Sequence, residues 1–131
     1  MPSSLSITWQ QIALVAFGGG LGSVARFLLS AYASGRTPGW RFPLGTFLVN
    51  LIGCLVIGAL WAAAERWPIL TPHLRLLLFT GVIGGFTTFS SFGLETVLLL
   101  RRGEAGVAVL YVALSLVCGL GILWLAIRAV R

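Results

Sequence analysis

The chain has 131 residues, 58% of them hydrophobic and only 9% charged, where a soluble domain carries about 25%. Water cannot solvate such a surface, which excludes a soluble domain, and the length allows one domain, residues 1–131. The formal charge of +6 comes from nine arginines against Glu65, Glu95 and Glu104, without lysine or aspartate. These arginines stand mostly at the ends of apolar runs, so they read as headgroup anchors and not as a nucleic-acid surface.

A helix needs about 20 apolar residues to cross the hydrocarbon core of a bilayer. Four runs meet that length: 12–33, 42–64, 76–100 and 105–127. The predicted fold is therefore an all-α membrane protein of four transmembrane helices. Short connections at 34–41, 65–75 and 101–104 contain Gly35, Pro38, Gly39, Pro68, Pro72 and Gly103, residues that stop helices. Trp9, Tyr32, Trp40, Trp61, Trp67 and Trp124 stand near the span ends, where aromatic belts form. The first eleven residues lack the basic region of a signal peptide, so the first span is expected to persist in the mature protein. Cys54 and Cys118 read as buried small hydrophobes, and His73, alone after Pro72, as an interfacial loop residue.

The first span carries Gly18-Gly19-Gly20-Leu21-Gly22-Ser23. Gly18 and Gly22 form a GxxxG pair that lets helices approach closely in lipid. A phosphate-cradling loop does not fit, because no strand precedes it and no GKS/T follows. Arg26 lies within the span. It either faces protein or a wet cavity, or snorkels to the nearby interface; the residues leave both open.

In the second span Thr46, Asn50 and Gly53 share one helical face. An amide within an apolar run must find partners. Asn50 serves either as interhelical glue or as a donor to a passing anion.

The third span carries Gly81, Gly84 and Gly85 before Phe86-Thr87-Thr88-Phe89-Ser90-Ser91-Phe92-Gly93. Glycines followed by adjacent β-branched threonines are poor helix material, and a break is expected near Gly84–Thr87. Broken backbone at membrane depth survives only when buried in protein or lining a wet cavity. On the helix that restarts, Thr88, Ser91, Phe92 and Glu95 fall on one face, with Phe89 at its flank, a pattern that points to an ion pathway. The fourth span adds Tyr111, Ser115 and Cys118 on one face. No catalytic constellation appears, and no enzymatic activity is expected.

The termini and second loop carry Arg66, Arg75, Arg128 and Arg131; the other two loops carry Arg36, Arg41, Arg101 and Arg102. Four against four gives the positive-inside rule no preference. The expectation is a chain that inserts both ways and pairs as an antiparallel, dual-topology homodimer. A small proton-coupled exporter is the main rival, but that chemistry wants a carboxylate near the middle of a drug-facing helix, and Glu95 lies late in the third span.

Gly19–Arg26, the Gly45-Thr46-…-Asn50-…-Gly53 stretch and Gly84-Gly85-Phe86-Thr87-Thr88-Phe89-Ser90-Ser91-Phe92 resemble, in order and spacing, the motifs of the CrcB/Fluc family of fluoride channels. The resemblance covers nearly the whole chain. It implies passive fluoride export across a bacterial cytoplasmic (inner) membrane by an antiparallel homodimer with narrow pores. It further implies a structural sodium ion (Na+) held by the backbone carbonyls of Gly84 and Thr87. Asn50, Phe89 and Phe92 match the pore residues; Thr46, Thr88, Ser91, Glu95, Tyr111 and Ser115 fit a polar track; Arg26 would draw anions to a vestibule. Ser91 replaces the usual threonine, and Gly119 stands where some members carry a second hydroxyl.

Overall fold

A computed structural model describes residues 6–68 and 70–130; Arg131, counted above in the charge balance, and Ile69 of the second loop lie outside the described residues. Among the described residues there are helices and connections only. Helix α1 (Trp9–Arg36) opens on a reciprocal cap, in which the Thr8 hydroxyl accepts from the Gln11 N–H and the Gln11 side chain accepts from the Thr8 N–H. Helix α2 (Leu44–Arg66) starts directly after Pro43. The third span is composite: a short turn α3 (Pro72–Arg75), a π-helical stretch (Leu76–Ile83), α4 (Gly84–Phe86) and α5 (Phe89–Arg101). Helix α6 (Ala105–Val130) closes the chain. Gly39 and Gly103, at φ +81° and +77°, make the turns of the first and third loops.

The four spans run 28, 23, 30 and 26 residues. At 1.5 Å per residue even the shortest is about 34 Å long, enough for the apolar core of a bilayer. Phe17, Phe27, Val117 and Leu120 point outward, a surface that lipid solvates and water does not. The chain is a multi-pass membrane protein. The helices overrun the predicted spans at six of eight ends, because α-helix continues into the headgroup zone; α2 starts two residues later than expected, after Pro43, and α6 starts at the expected residue. His73 sits within α3 and not in a loop: Thr71 caps that turn through the Leu74 N–H and starts the helix early.

Two glycine seams hold the bundle. Along α1, a Cβ on Gly18 would lie 2.7 Å from the Leu77 carbonyl oxygen, and one on Gly22 would overlap the Val82 carbonyl. From the other side, a Cβ on Gly85 would overlap the backbone of Gly19. The GxxxG expectation is thus met by backbone-to-backbone contact with the first half of the third span. Leu77, Gly81 and Gly85, four residues apart, all meet α1, at Gly18 and Gly19. In the second seam, a Cβ on Gly58 of α2 would lie 2.7 Å from the Leu123 carbonyl oxygen of α6. The interior cluster lies near the first-loop end, where Leu99, Ala108 and Tyr111 pack with Phe42, Phe47, Phe92 and Val107.

Candidate ion pathway at the broken span

The helix breaks at Thr87 and Thr88, whose φ/ψ of −80°/157° and −150°/115° are extended. The expected window, Gly84–Thr87, is entered only at its last residue. Gly84 to Phe86 remain helical, Gly85 serving the contact with α1, and the break falls on the β-branched pair, which favours extended backbone. Thr87 ends the first half by donating its N–H and its hydroxyl, both at 2.9 Å, to the Ile83 carbonyl. Thr88 starts the second half, its hydroxyl accepting the Ser91 N–H at 3.2 Å and donating to the Ser91 hydroxyl at 3.1 Å. Thr88 is therefore the cap of α5 and not a member of its first turn. Gly53 of α2 makes room for this, since a Cβ there would overlap the Thr87 methyl group.

Asn50 spans the break. Its Oδ1 accepts the Thr88 N–H at 2.8 Å and its Nδ2 donates to the Thr88 carbonyl at 3.0 Å. The backbone donor on Thr88 fixes which end of the amide faces it. This bidentate grip is the glue alternative in an unexpected form, holding an irregular peptide instead of a neighbouring side chain. It leaves the second Nδ2 hydrogen outside that pair. Asn50, Gly53, Cys54, Thr87, Thr88 and Phe89 line a cavity of about 300 Å³. Both cysteines are half-buried and not fully enclosed, and Cys54 faces this cavity.

The same bonds bear on the two carbonyls proposed for a cation. In an unbroken helix Gly84 would accept from the Thr88 N–H and Thr87 from the Ser91 N–H. Those donors go instead to Asn50 and to the Thr88 hydroxyl. Each nominated carbonyl has lost its helical donor, and hard oxygen ligands of this kind suit a sodium ion. The residues present fit the group.

One turn onward, Glu95 reaches inward. Its Oε1 accepts from the Thr46 hydroxyl and its Oε2 from the Tyr111 hydroxyl, each at 2.7 Å. Thr46 and Tyr111 are buried, Tyr111 completely. Three spans thus meet at one carboxylate, an arrangement that spacing within single helices did not reveal. The signal in the sequence was that each of these helices carried polar side chains on one face of an otherwise apolar run. Rings connect the two centres: Phe89 and Phe92 have centroids 5.7 Å apart, and Phe92 and Tyr111 5.2 Å. Phe42, not singled out in the sequence, continues the row edge-on to Tyr111 at 5.3 Å. Phe89 is 83% exposed on the single chain.

The remaining predicted residues stand apart. The Ser115 hydroxyl is buried without a hydrogen-bond partner among the described residues. One turn later, a Cβ on Gly119 would lie 3.5 Å from the Cys54 sulfur, an ordinary contact. Arg26 is half-buried in α1, and among the described residues no hydrogen bond or ion pair joins it to the Asn50 or Glu95 centres.

Comparison with known proteins agrees with the resemblance read from the motifs. The profile of the family described as CrcB-like protein, Camphor Resistance (CrcB), matches residues 13–127. The fluoride-specific ion channel FluC of Methylobacillus flagellatus is 53% identical over 92% of this chain and 94% of its own length. The proteins of the same name from Nitratidesulfovibrio vulgaris and Novosphingobium aromaticivorans are 43% and 46% identical, over 93% and 91% of this chain and 98% and 94% of theirs. These relatives are ion channels and not enzymes, in agreement with the lack of a catalytic constellation in the sequence. With its glycine seams and its broken third span, the chain belongs to the CrcB family.

Proposed function

We propose that this chain is a fluoride-selective channel that works as an antiparallel, dual-topology homodimer and lets fluoride leave the cell passively across the bacterial inner membrane. The observation that carries the reading is the row of Asn50, Thr88, Phe89, Phe92, Glu95, Thr46 and Tyr111, which runs from a broken backbone to a fully buried hydroxyl. Ser91 adds a hydroxyl beside the break, Ser115 an unpartnered one further along α6, and Arg26 a cation toward a vestibule.

Fluoride is a small ion and a strong hydrogen-bond acceptor, so amide and hydroxyl donors favour it over chloride. Ring edges are electropositive and meet an anion without the fixed charge that would trap it, as conduction through successive weak sites requires. An inside-negative potential contributes about 2.3 kcal/mol per 100 mV toward expelling an anion. A sodium ion at Gly84 and Thr87, when bound, supplies a positive charge that compensates the freed carbonyls. Asn50 and the two threonines hold those carbonyls in place.

Phe89, so exposed on one chain and beside the 300 Å³ cavity, has an apolar face for a second copy to cover. The balanced arginines support both orientations. Two measurements test the whole. Purified protein in liposomes is expected to pass fluoride; drug–proton antiport without fluoride flux would establish the exporter instead. Cysteines placed in one loop are expected to label from both sides of intact cells, and one-sided labelling would rule out dual topology.

A further inference from the structure

The first-loop face carries an arrangement that the pathway does not use. Glu104 stands just before α6, its N–H donating to the Leu99 carbonyl and its own carbonyl taking the Ala108 N–H. Those backbone bonds already secure the turn. Yet its carboxylate is folded inward, 18% exposed, with Oε1 3.9 Å from the Arg41 Nε and Oε2 buried without a hydrogen-bond partner among the described residues. A half-satisfied buried carboxylate is destabilising and calls for an explanation.

The cation beside it is Arg41. It is 71% exposed, and it immediately precedes Phe42, the last ring in the row Phe89, Phe92, Tyr111, Phe42. Of the other cations on this face, Arg36 lies over the Tyr32 ring at 4.9 Å, and Arg101 and Arg102 belong to the end of α5. Arg41 is the cation next in the chain to the last ring of the row, and Glu104 is its ion-pair partner at 3.9 Å.

We propose that Arg41 is an anion-collecting mouth and Glu104 its positioning residue, so that fluoride is concentrated where the rings and hydroxyls open on the first-loop face. The inference rests on the channel reading above. An exposed cation attracts an anion weakly enough to release it, and its effect is on arrival. Charged entrances raise encounter rates about 10- to 1,000-fold and lose that advantage as salt rises; a single exposed cation belongs at or below the foot of that range. In an antiparallel pair each membrane face receives one such mouth.

The test is fluoride efflux from liposomes holding the full chain, at about 10 mM and about 300 mM ionic strength, where the screening length falls severalfold. R41Q is expected to lose flux about threefold to tenfold at low salt and to approach wild type at high salt, whereas R41K keeps most of it. E104Q is expected to lose flux in the same direction by a smaller factor, and to add nothing in the R41Q background. R41Q equal to wild type at both salt levels overturns the proposal. So does a loss of the same size at both, which marks a merely structural role. An E104Q effect that persists undiminished in R41Q, or a gain of flux in E104Q alone, overturns the positioning role. Wild-type protein without fluoride flux removes the channel reading and this inference with it; wild-type flux beside a salt-independent R41Q removes the inference alone.

Discussion

The two halves of the third span solve different problems with the same chain. Before the break, Leu77, Gly81, Val82 and Gly85 press against Gly18, Gly19 and Gly22, backbone on backbone. After it, Thr88, Ser91 and Glu95 carry hydrogen bonds, and Gly93 has open space where a side chain would go. The first half is held by shape and the second by polar pairing. In lipid, where burying apolar surface drives nothing, helix association draws on these two means. The lesson is that glycine content does not identify the functional half. Glycines marked the packed part, and the hydroxyls marked the part joined by hydrogen bonds.

This contrast is open to attack from either side, and the largest effect belongs to the packed half. Gly22→Ala or Gly85→Ala forces a Cβ into backbone that cannot yield, at a cost of about 3 kcal/mol or more. The expected result is loss of folded protein in a detergent-unfolding titration, and wild-type stability would contradict the seam. Next comes the clamp. Asn50→Ala removes both bonds to Thr88, leaving buried groups unpaired at about 1–3 kcal/mol each. Fluoride flux in liposomes should fall to background while the protein still runs as a dimer on size-exclusion chromatography. Phe89→Ile combined with Phe92→Ile should likewise abolish flux without unfolding the chain; wild-type rates would show that the rings do not line the route.

Smaller effects sharpen the comparison. Thr46→Val and Tyr111→Phe each delete one hydroxyl from Glu95, for about 1.5–3 kcal/mol as hydrogen bonds to a carboxylate. A double-mutant cycle on unfolding should show coupling, since both act on one group; strict additivity would mean that the carboxylate does not join them. The smallest change is expected from Gly93→Ala in the hydroxyl-bearing half and Gly119→Ser in α6. Neither meets a closer neighbour than the Cys54 sulfur at 3.5 Å, so stability should move by about 0.5 kcal/mol or less.

Much of this was legible in the residues. Four apolar runs, the GxxxG pair and the TTFSSF stretch placed the spans, one seam and the region of the break. The expected break window starts too early, at Gly84; whether a glycine breaks a helix or packs one depends on what lies opposite, which for Gly85 is Gly19. Asn50 was read as either glue or donor, and its hold on a peptide unit was not foreseen. Phe42 counts in the sequence as the start of the second span, and Arg41 and Glu104 as loop residues, since nothing along the chain shows that the first loop and the start of α6 will meet.

The sequence by itself determined the solvent of this protein, the number of its crossings and the chemical types along its third span. Those follow from hydropathy and local backbone preference, which act over a few residues. Only the tertiary structure decided that Asn50 would meet Thr88 and that Thr46 and Tyr111 would converge on Glu95. These contacts join helices far apart in the chain, and their geometry is set by how closely glycine-lined backbones approach.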